Sequence, residues 1–204
     1  MTILLIRHGE TALNAARVVQ PADTPLSARG LAQAHALARR LAAEGVVAIL
    51  SSDLPRATMT AEPLAAATGL PVATTALLQE RNFGALRGRA YDEIAFDPHA
   101  ADLEPPGGEA WPEFLARVGQ AFSHLVALRA TLPGPLAVVT HGLVVRAILQ
   151  AHARLPAGAA VPERIANTSV SVLAAGAPHA VSLVNCARHL EGELADDAQG
   201  RSGF

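Results

Sequence analysis

One arrangement occurs three times along this chain: a short apolar run rich in β-branched residues, then a few polar residues of chemically useful kinds, then a stretch of helical character. Thr2 to Ile6 leads into Arg7-His8-Gly9 and a polar segment through Asn14. Val46 to Leu50 leads into Ser51-Ser52-Asp53, followed by a helix-like stretch from Pro55 to Ala67 that stops at Gly69. Leu136 to Val139 leads into Thr140-His141-Gly142, and Leu143 to Ala151 continues as an apolar helix. Apolar runs this short, bounded by turn residues, read as buried strands. Parallel strands need crossover connections, which helices supply, so the pattern predicts an α/β fold with a mostly parallel sheet covered on both faces.

The remaining segments fit that plan. Ser27 precedes Leu31, Ala34, Leu37, Ala38 and Leu41 at helical spacing, with Gly45 as a stop, which predicts a helix over 28–44. Leu70 to Leu78 holds a short strand, and Gln79 to Arg89, with two glycines and no periodicity, reads as loop. Asp97 to Pro112 is rich in Pro, Gly and acid, and its acids through Glu113 read as a solvated rim. Glu113 to Leu132 places Phe114, Leu115, Val118, Phe122, Leu125 and Leu128 on one helical face. Thr168 to Ala174 and Ala180 to Val184 form a late hairpin, and the tail after Glu191 is expected to be loose. With 204 residues, half of them hydrophobic, the expectation is a single domain over 1–204. Right-handed crossovers bring successive strand ends to one edge, where ligands of such sheets bind. Arg7-His8, the turn before Arg56, and His141 would then share one pocket.

Composition narrows the chemistry. A formal charge of -2 offers no electrostatic case for nucleic acid or an anionic membrane. The 16 basic residues are all Arg, so lysine Schiff bases and lysine-dependent phosphate loops are excluded, and any anion site is built from arginine. Cys186, the 1 cysteine, reads as core filler. Arg7 interrupts the first apolar run, and no stretch approaches the ~18 uncharged residues of a membrane span. A soluble, cytoplasmic protein acting on a small metabolite is expected. His35, His99, His124, His152, His179 and His189 show no metal-ligand spacing, so no metal is expected. Arg39-Arg40, late in the 28–44 helix, are accounted for by its dipole.

What remains suits phosphoryl transfer, which depends on positioning and on positive groups around the equatorial oxygens. His8 can attack phosphorus through a neutral ring nitrogen if its other nitrogen donates to a backbone carbonyl. Arg7 and Arg56 carry planar forks that each grip two phosphate oxygens. Asn14 adds a neutral donor. His141 can hydrogen-bond an equatorial oxygen, with the Gly142 amide at a helix start beside it. Glu80 is the candidate to protonate the departing alkoxide and then to deprotonate water.

Leu5-Ile6-Arg7-His8-Gly9-Glu10-Thr11 with Asn14, Ser51-Ser52-Asp53-Leu54-Pro55-Arg56-Ala57 with Thr60-Ala61, Leu78 to Gly84 with Glu80, and Thr140-His141-Gly142 occur in order. Together they resemble the histidine phosphatase superfamily, the phosphoglycerate mutase-like proteins, from residue 3 to about residue 190. The resemblance implies a three-layer α/β/α sandwich, a phosphohistidine at His8, phosphate contacts from Arg7, Asn14, Arg56 and His141, an acid role for Glu80, no metal and no organic cofactor. Gln20 falls where many members place a polar residue at the substrate entrance, but the Gly that commonly follows is Pro21, which has no N–H to donate.

Three readings follow, with hydrolysis of a small phosphomonoester preferred. A mutase must exclude water and hold extra cationic ligands. The mutases that this chain resembles carry a longer insertion with an adjacent arginine pair, whereas the only Arg-Arg here is Arg39-Arg40. A non-catalytic phosphate-ester sensor would keep the arginines without turnover, which the intact His8, Glu80 and His141 argue against. The loops at 15–25 and 81–112 would set specificity and carry no readable code, and a homodimer is left open.

Overall fold

Six strands, β1 (Thr2–Arg7), β2 (Ala48–Ser52), β3 (Val72–Thr75), β4 (Leu136–Thr140), β5 (Val170–Ala174) and β6 (Val181–Cys186), pair in the order β3-β2-β4-β1-β5-β6. The structure, a computed structural model of the chain, describes residues 1–94, 104–192 and 194. Each neighbouring pair from β3 to β1 is parallel, β5 is antiparallel to β1, and β6 is antiparallel to β5. Only β5 therefore runs against the others, and the carboxyl ends of β1, β2 and β4 lie on one edge. The expected late hairpin is the β5–β6 pair.

Five helices, α1 (Ala12–Ala15), α2 (Ala28–Leu41), α3 (Pro55–Thr68), α4 (Trp111–Ala130) and α5 (Gly142–Ala151), connect and cover these strands. Alternation along the strands feeds two separate cores. Ile3, Leu5, Leu50, Leu136 and Val138 pack with Phe114, Val118 and Leu125 of α4 and Val144 and Ile148 of α5. Leu4, Ile6, Ile49, Ala137 and Val139 face the other way, against Leu37 and Leu41 of α2 and Ala57, Ala61 and Leu64 of α3. The result is the α/β/α sandwich, its central strands β1 and β4 buried on both sides. No helix among the described residues is long and apolar enough to cross a membrane.

Several boundaries differ from the sequence reading, each for a local reason. Ser51 and Ser52, expected as a turn, end β2, with Ser51 paired to Val139 and Thr74. Ladder pairing outweighs the turn preference of serine there. Helix α2 stops at Leu41, short of the expected 44, where Glu44 N donates to Leu41 O at 3.0 Å in a tightened last turn before Gly45. Helix α4 begins at Trp111 because the Glu113 carboxylate accepts from Ala110 N at 3.1 Å and Pro112 is tolerated in a first turn. Glu104 and Glu113 are exposed, as the expected rim requires, Glu113 also capping its helix, whereas Glu109 is drawn in by its ion pair with Arg117; Asp97, Asp102 and His99 lie outside the described residues. The tail beyond 191 also lies almost wholly outside them.

Candidate active site

His8 comes directly after β1 and His141 directly after β4. Arg7 is paired with Thr140 across the parallel ladder, so the two histidines occupy the next rung, and His8 N donates to Thr140 O at 2.9 Å. Their ring centroids lie 5.1 Å apart.

The tautomer of His8 follows from one contact. Its Nδ1 is 2.7 Å from Gly9 O, and a carbonyl can only accept, so Nδ1 carries the proton and Nε2 keeps its lone pair. Burial, then the Arg56 and Arg7 guanidiniums, hold the imidazole well below its usual 6.5 against the opposing pull of the Gly9 bond. The ring is neutral at neutral pH. Its loop is fixed backbone against backbone: a Cβ on Gly9 would meet Gly30 O at 2.7 Å, and one on Gly30 would meet Glu10 O at 2.0 Å. Gly9 N donates to Thr60 Oγ1 at 2.9 Å and Glu10 N to Gln33 Oε1 at 2.8 Å, which ties the loop to α3 and α2.

Arg7, His8, Asn14, Gln20, Arg56 and Glu80 line one pocket at this sheet edge. Arg7 is buried, with Nη1 donating to Ile165 O. Arg56, in the first turn of α3, donates from Nη1 to the carbonyls of Pro21 at 3.2 Å and Ala22 at 3.4 Å. Its Nε has no hydrogen-bond partner among the described residues, so the Nε and Nη2 edge presents the fork. Burial, helped by Arg87 and Arg7 and opposed by Glu80, brings the Arg56 pKa down to about 10, and the group stays charged. Pro21, which has no N–H to donate, contributes its carbonyl instead, as an acceptor for Arg56. Asn14 Oδ1 accepts from Thr11 N at 3.4 Å, and Gln20 Oε1 from Thr11 Oγ1 at 2.8 Å, leaving the NH2 end of each as the donor for a ligand.

His141 is fully buried. Ser52 Oγ accepts from Leu54 N at 3.3 Å and lies 2.9 Å from His141 Nε2, so we assign the hydroxyl hydrogen to Nε2. The ring proton is then on Nδ1, which has no partner among the described residues and can donate to an anion. Gly142 opens α5 next to it, and the following amide, Leu143 N, donates to Glu80 Oε2 at 3.2 Å.

Glu80 Oε1 accepts from Arg81 N at 3.0 Å. Burial raises the carboxyl pKa above 4.5, and the two amides, Arg56 and Arg7 only partly oppose this. The loop bearing Glu80 is held from α4. Arg117 donates from Nη1 to Leu77 O at 2.9 Å and Gln79 O at 2.8 Å, while its Nε and Nη2 grip the Glu109 carboxylate at 2.8 Å each. Neither Arg117 nor Ser52 was singled out from the sequence, nor were Arg81, Phe83, Arg87 and Tyr91, which also line the pocket. The density of arginines between 81 and 89 was the available signal. A roomier cavity of about 440 Å³ between α4 and α5, lined by Trp111, Leu143, Arg146 and Gln150, lacks both histidines and both phosphate-sized forks.

A neutral ring nitrogen, two charged forks, a buried N–H donor and a carboxyl whose pKa burial raises form a set able to move a phosphoryl group. The model of the histidine phosphatase superfamily (branch 1) matches residues 3–185. The chain belongs to the histidine phosphatase superfamily. Among members of this superfamily, "Probable phosphoglycerate mutase GpmB" of Yersinia pestis is 35% identical over 181 residues, 84% of this chain and 83% of that protein. The solved mycobacterial glucosyl-3-phosphoglycerate phosphatase is 32% identical, with a TM-score of 0.73 over 85% of this chain and 90% of its own. A structure described as mycobacterial hydrolase 1 is 30% identical, with a TM-score of 0.77 over 91% of this chain and 98% of its own. As a histidine phosphatase superfamily enzyme the chain is a phosphatase or a mutase acting on small phosphorylated substrates.

Proposed function

We propose that this superfamily member hydrolyses a small phosphomonoester through a phosphohistidine on His8. The observation that carries the reading is the bond from His8 Nδ1 to Gly9 O, which leaves Nε2 unprotonated in a pocket shared with Arg7, Arg56 and Glu80. Nε2 attacks phosphorus, the P–O ester bond breaks, and the leaving oxygen takes the proton of the Glu80 carboxyl. Water then gives a proton to the Glu80 carboxylate as its oxygen attacks phosphorus. The P–N bond breaks, its electron pair returns to Nε2, and inorganic phosphate departs. Arg7, Arg56, Asn14 and His141 Nδ1 hold the equatorial oxygens in both steps, and the Gly142 amide and Gln20 complete the donor set.

Hydrolysis is preferred to mutase chemistry because the adjacent arginine pair of the mutases has no counterpart near the pocket, the one Arg-Arg of the sequence being Arg39-Arg40. Arg39-Arg40 lie in α2, where Arg40 donates to Cys186 O at 2.8 Å on the far strand of the sheet. Phosphatase names among the solved relatives support the same choice. Mixing the protein with an ester labelled in its phosphoryl group should give acid-labile phosphate on the protein and release of labelled inorganic phosphate. Absence of both would end the enzyme reading, and label passed to a second alcohol without release would make the mutase reading the better one.

A further inference from the structure

Gly9 O can fix the proton on His8 Nδ1 only while that carbonyl keeps its own direction, which the two peptide groups meeting at Gly9 decide. In the second of them, Glu10 N donates to Gln33 Oε1 and Gly9 O faces the imidazole. In the first, both edges are held. Gly9 N donates to Thr60 Oγ1 at 2.9 Å, and Thr60 Oγ1 donates onward to Arg56 O at 2.6 Å. His8 O accepts twice, from Asn167 Nδ2 at 2.9 Å and from Thr168 N at 3.3 Å. This planar group is gripped on its N–H side by α3 and on its C=O side by the segment leading into β5, so it cannot turn without breaking a bond at one edge.

The backbone of Thr168 carries the mark of this task. Its φ is 52°, in the left-handed region that a β-branched residue rarely adopts. Such outliers persist where the surroundings over-determine them, and they gather at functional sites. Here the surroundings reach back to α2. Arg40 Nη1 lies 3.1 Å from His189 Nδ1, and a guanidinium only donates, so the His189 proton is on Nε2, which donates to Thr168 Oγ1 at 3.0 Å. Thr168 is thus held by its side chain while its amide points at His8 O, and the fully buried Asn167 brings a second donor to the same oxygen. Building on the phosphohistidine reading, we infer that Asn167 is a positioning residue for the nucleophile: pinning the His8–Gly9 peptide opposite Thr60, it aims Gly9 O at Nδ1 and keeps the lone pair on Nε2. It acts through the main chain, so it governs the reactivity of His8 and not the grip on phosphate.

The test is the tautomer of His8, read from the ring nitrogen NMR resonances of the full chain and assigned by their loss in His8→Asn. It is paired with the single-turnover rate of phosphohistidine formation from nitrophenyl phosphate. Asn167→Leu keeps the branching of the side chain and has no N–H to give, and Asn167→Ala serves if the leucine variant does not fold. Thr60→Val removes the acceptor at the other edge. The unaltered protein should show one neutral form, protonated on Nδ1. The Asn167 variants and Thr60→Val should show averaging between the two tautomers and phosphorylate His8 about tenfold more slowly, the size of one buried hydrogen bond. Inhibition by inorganic phosphate, set by the arginine forks, should stay within about threefold. A folded Asn167 variant whose His8 remains protonated on Nδ1 overturns the inference whatever its turnover, and so does an equal loss of phosphate binding; both leave the phosphatase reading standing. No phosphohistidine on the unaltered protein overturns both.

Discussion

The Ser52 hydroxyl lies 2.9 Å from Nε2 of His141, and in the assigned tautomer it donates there and leaves the ring proton on Nδ1. Ser52 ends β2 and His141 follows β4, its neighbour in the sheet, so strand pairing itself delivers this bond. Ser52→Ala should lower kcat/KM about tenfold, near 1.4 kcal/mol, whereas His141→Ala should lower it by about 10²–10³. Because the serine acts through the histidine, the double variant should be no slower than His141→Ala. Additive losses in the kinetics of the three variants would separate the two residues.

Arg56 presents its Nε and Nη2 edge to the pocket while Nη1 is spent on the 21–22 backbone. Lysine cannot reproduce either half of that arrangement, so Arg56→Lys should cost about a hundredfold in kcat/KM despite the retained charge. Steady-state kinetics with a saturable ester check this, and a loss below threefold contradicts the fork.

Glu80 and His8 shift in opposite senses, and both shifts favour mildly acidic pH. His8 stays neutral as pH falls until its depressed pKa is reached, well below 6.5. Glu80 keeps its proton as pH rises until its raised pKa is passed, above 4.5. The kcat/KM profile for an alkyl ester should therefore fall on the alkaline side as Glu80 ionises. With nitrophenyl phosphate, whose leaving group needs no proton, that limb should flatten. Glu80→Gln should slow the alkyl ester at least about tenfold more than the nitrophenyl ester, and equal slowing of both removes Glu80 from the acid role.

Arg117 joins α4 to the start of the acid loop through the carbonyls of Leu77 and Gln79, while gripping the Glu109 carboxylate that precedes α4. Arg117→Ala leaves the two carbonyls without this donor and removes the ion pair of a largely buried acid, which should destabilise the protein by about 2–3 kcal/mol in urea unfolding. Activity on alkyl esters should drop more than on nitrophenyl phosphate, because the loop that places Glu80 is loosened. A variant of unaltered stability would show that the loop is held by other means.

On the proposed reading, guanidinium groups meet the phosphate charge in this pocket, and among the described residues no three of His, Cys, Asp and Glu gather as a metal centre requires. Turnover should survive prolonged dialysis against a strong chelator with less than about twofold loss, since no step needs a Lewis acid. Loss of activity that returns on adding a divalent ion would contradict the assignment.

The strands and the residues at their ends were legible because they obey local rules. Arg7, His8 and His141 were found together because apolar runs mark buried strands and parallel connectivity brings their ends to one edge. Arg56 was legible through the Pro55 start of α3. The wall made by Arg81, Phe83, Arg87 and Tyr91 was not, since an aperiodic loop carries no directional signal and its course is set by distant partners such as Arg117. The ends of β2 and α4 were misplaced for the same kind of reason: Ser52 finds its partner 89 positions away, and Glu113 reaches back over Pro112 to its cap.

The contact of Gly9 with Gly30 bears on where this catalyst can change. Two main chains pressed together without room for a methyl group favour one course for the loop, so the imidazole proposed as nucleophile would stand in place before any ester arrives. Little of the energy of association is spent on ordering it. Differences in what is bound would then be read by side chains of the loop over 81–91, which line the same pocket.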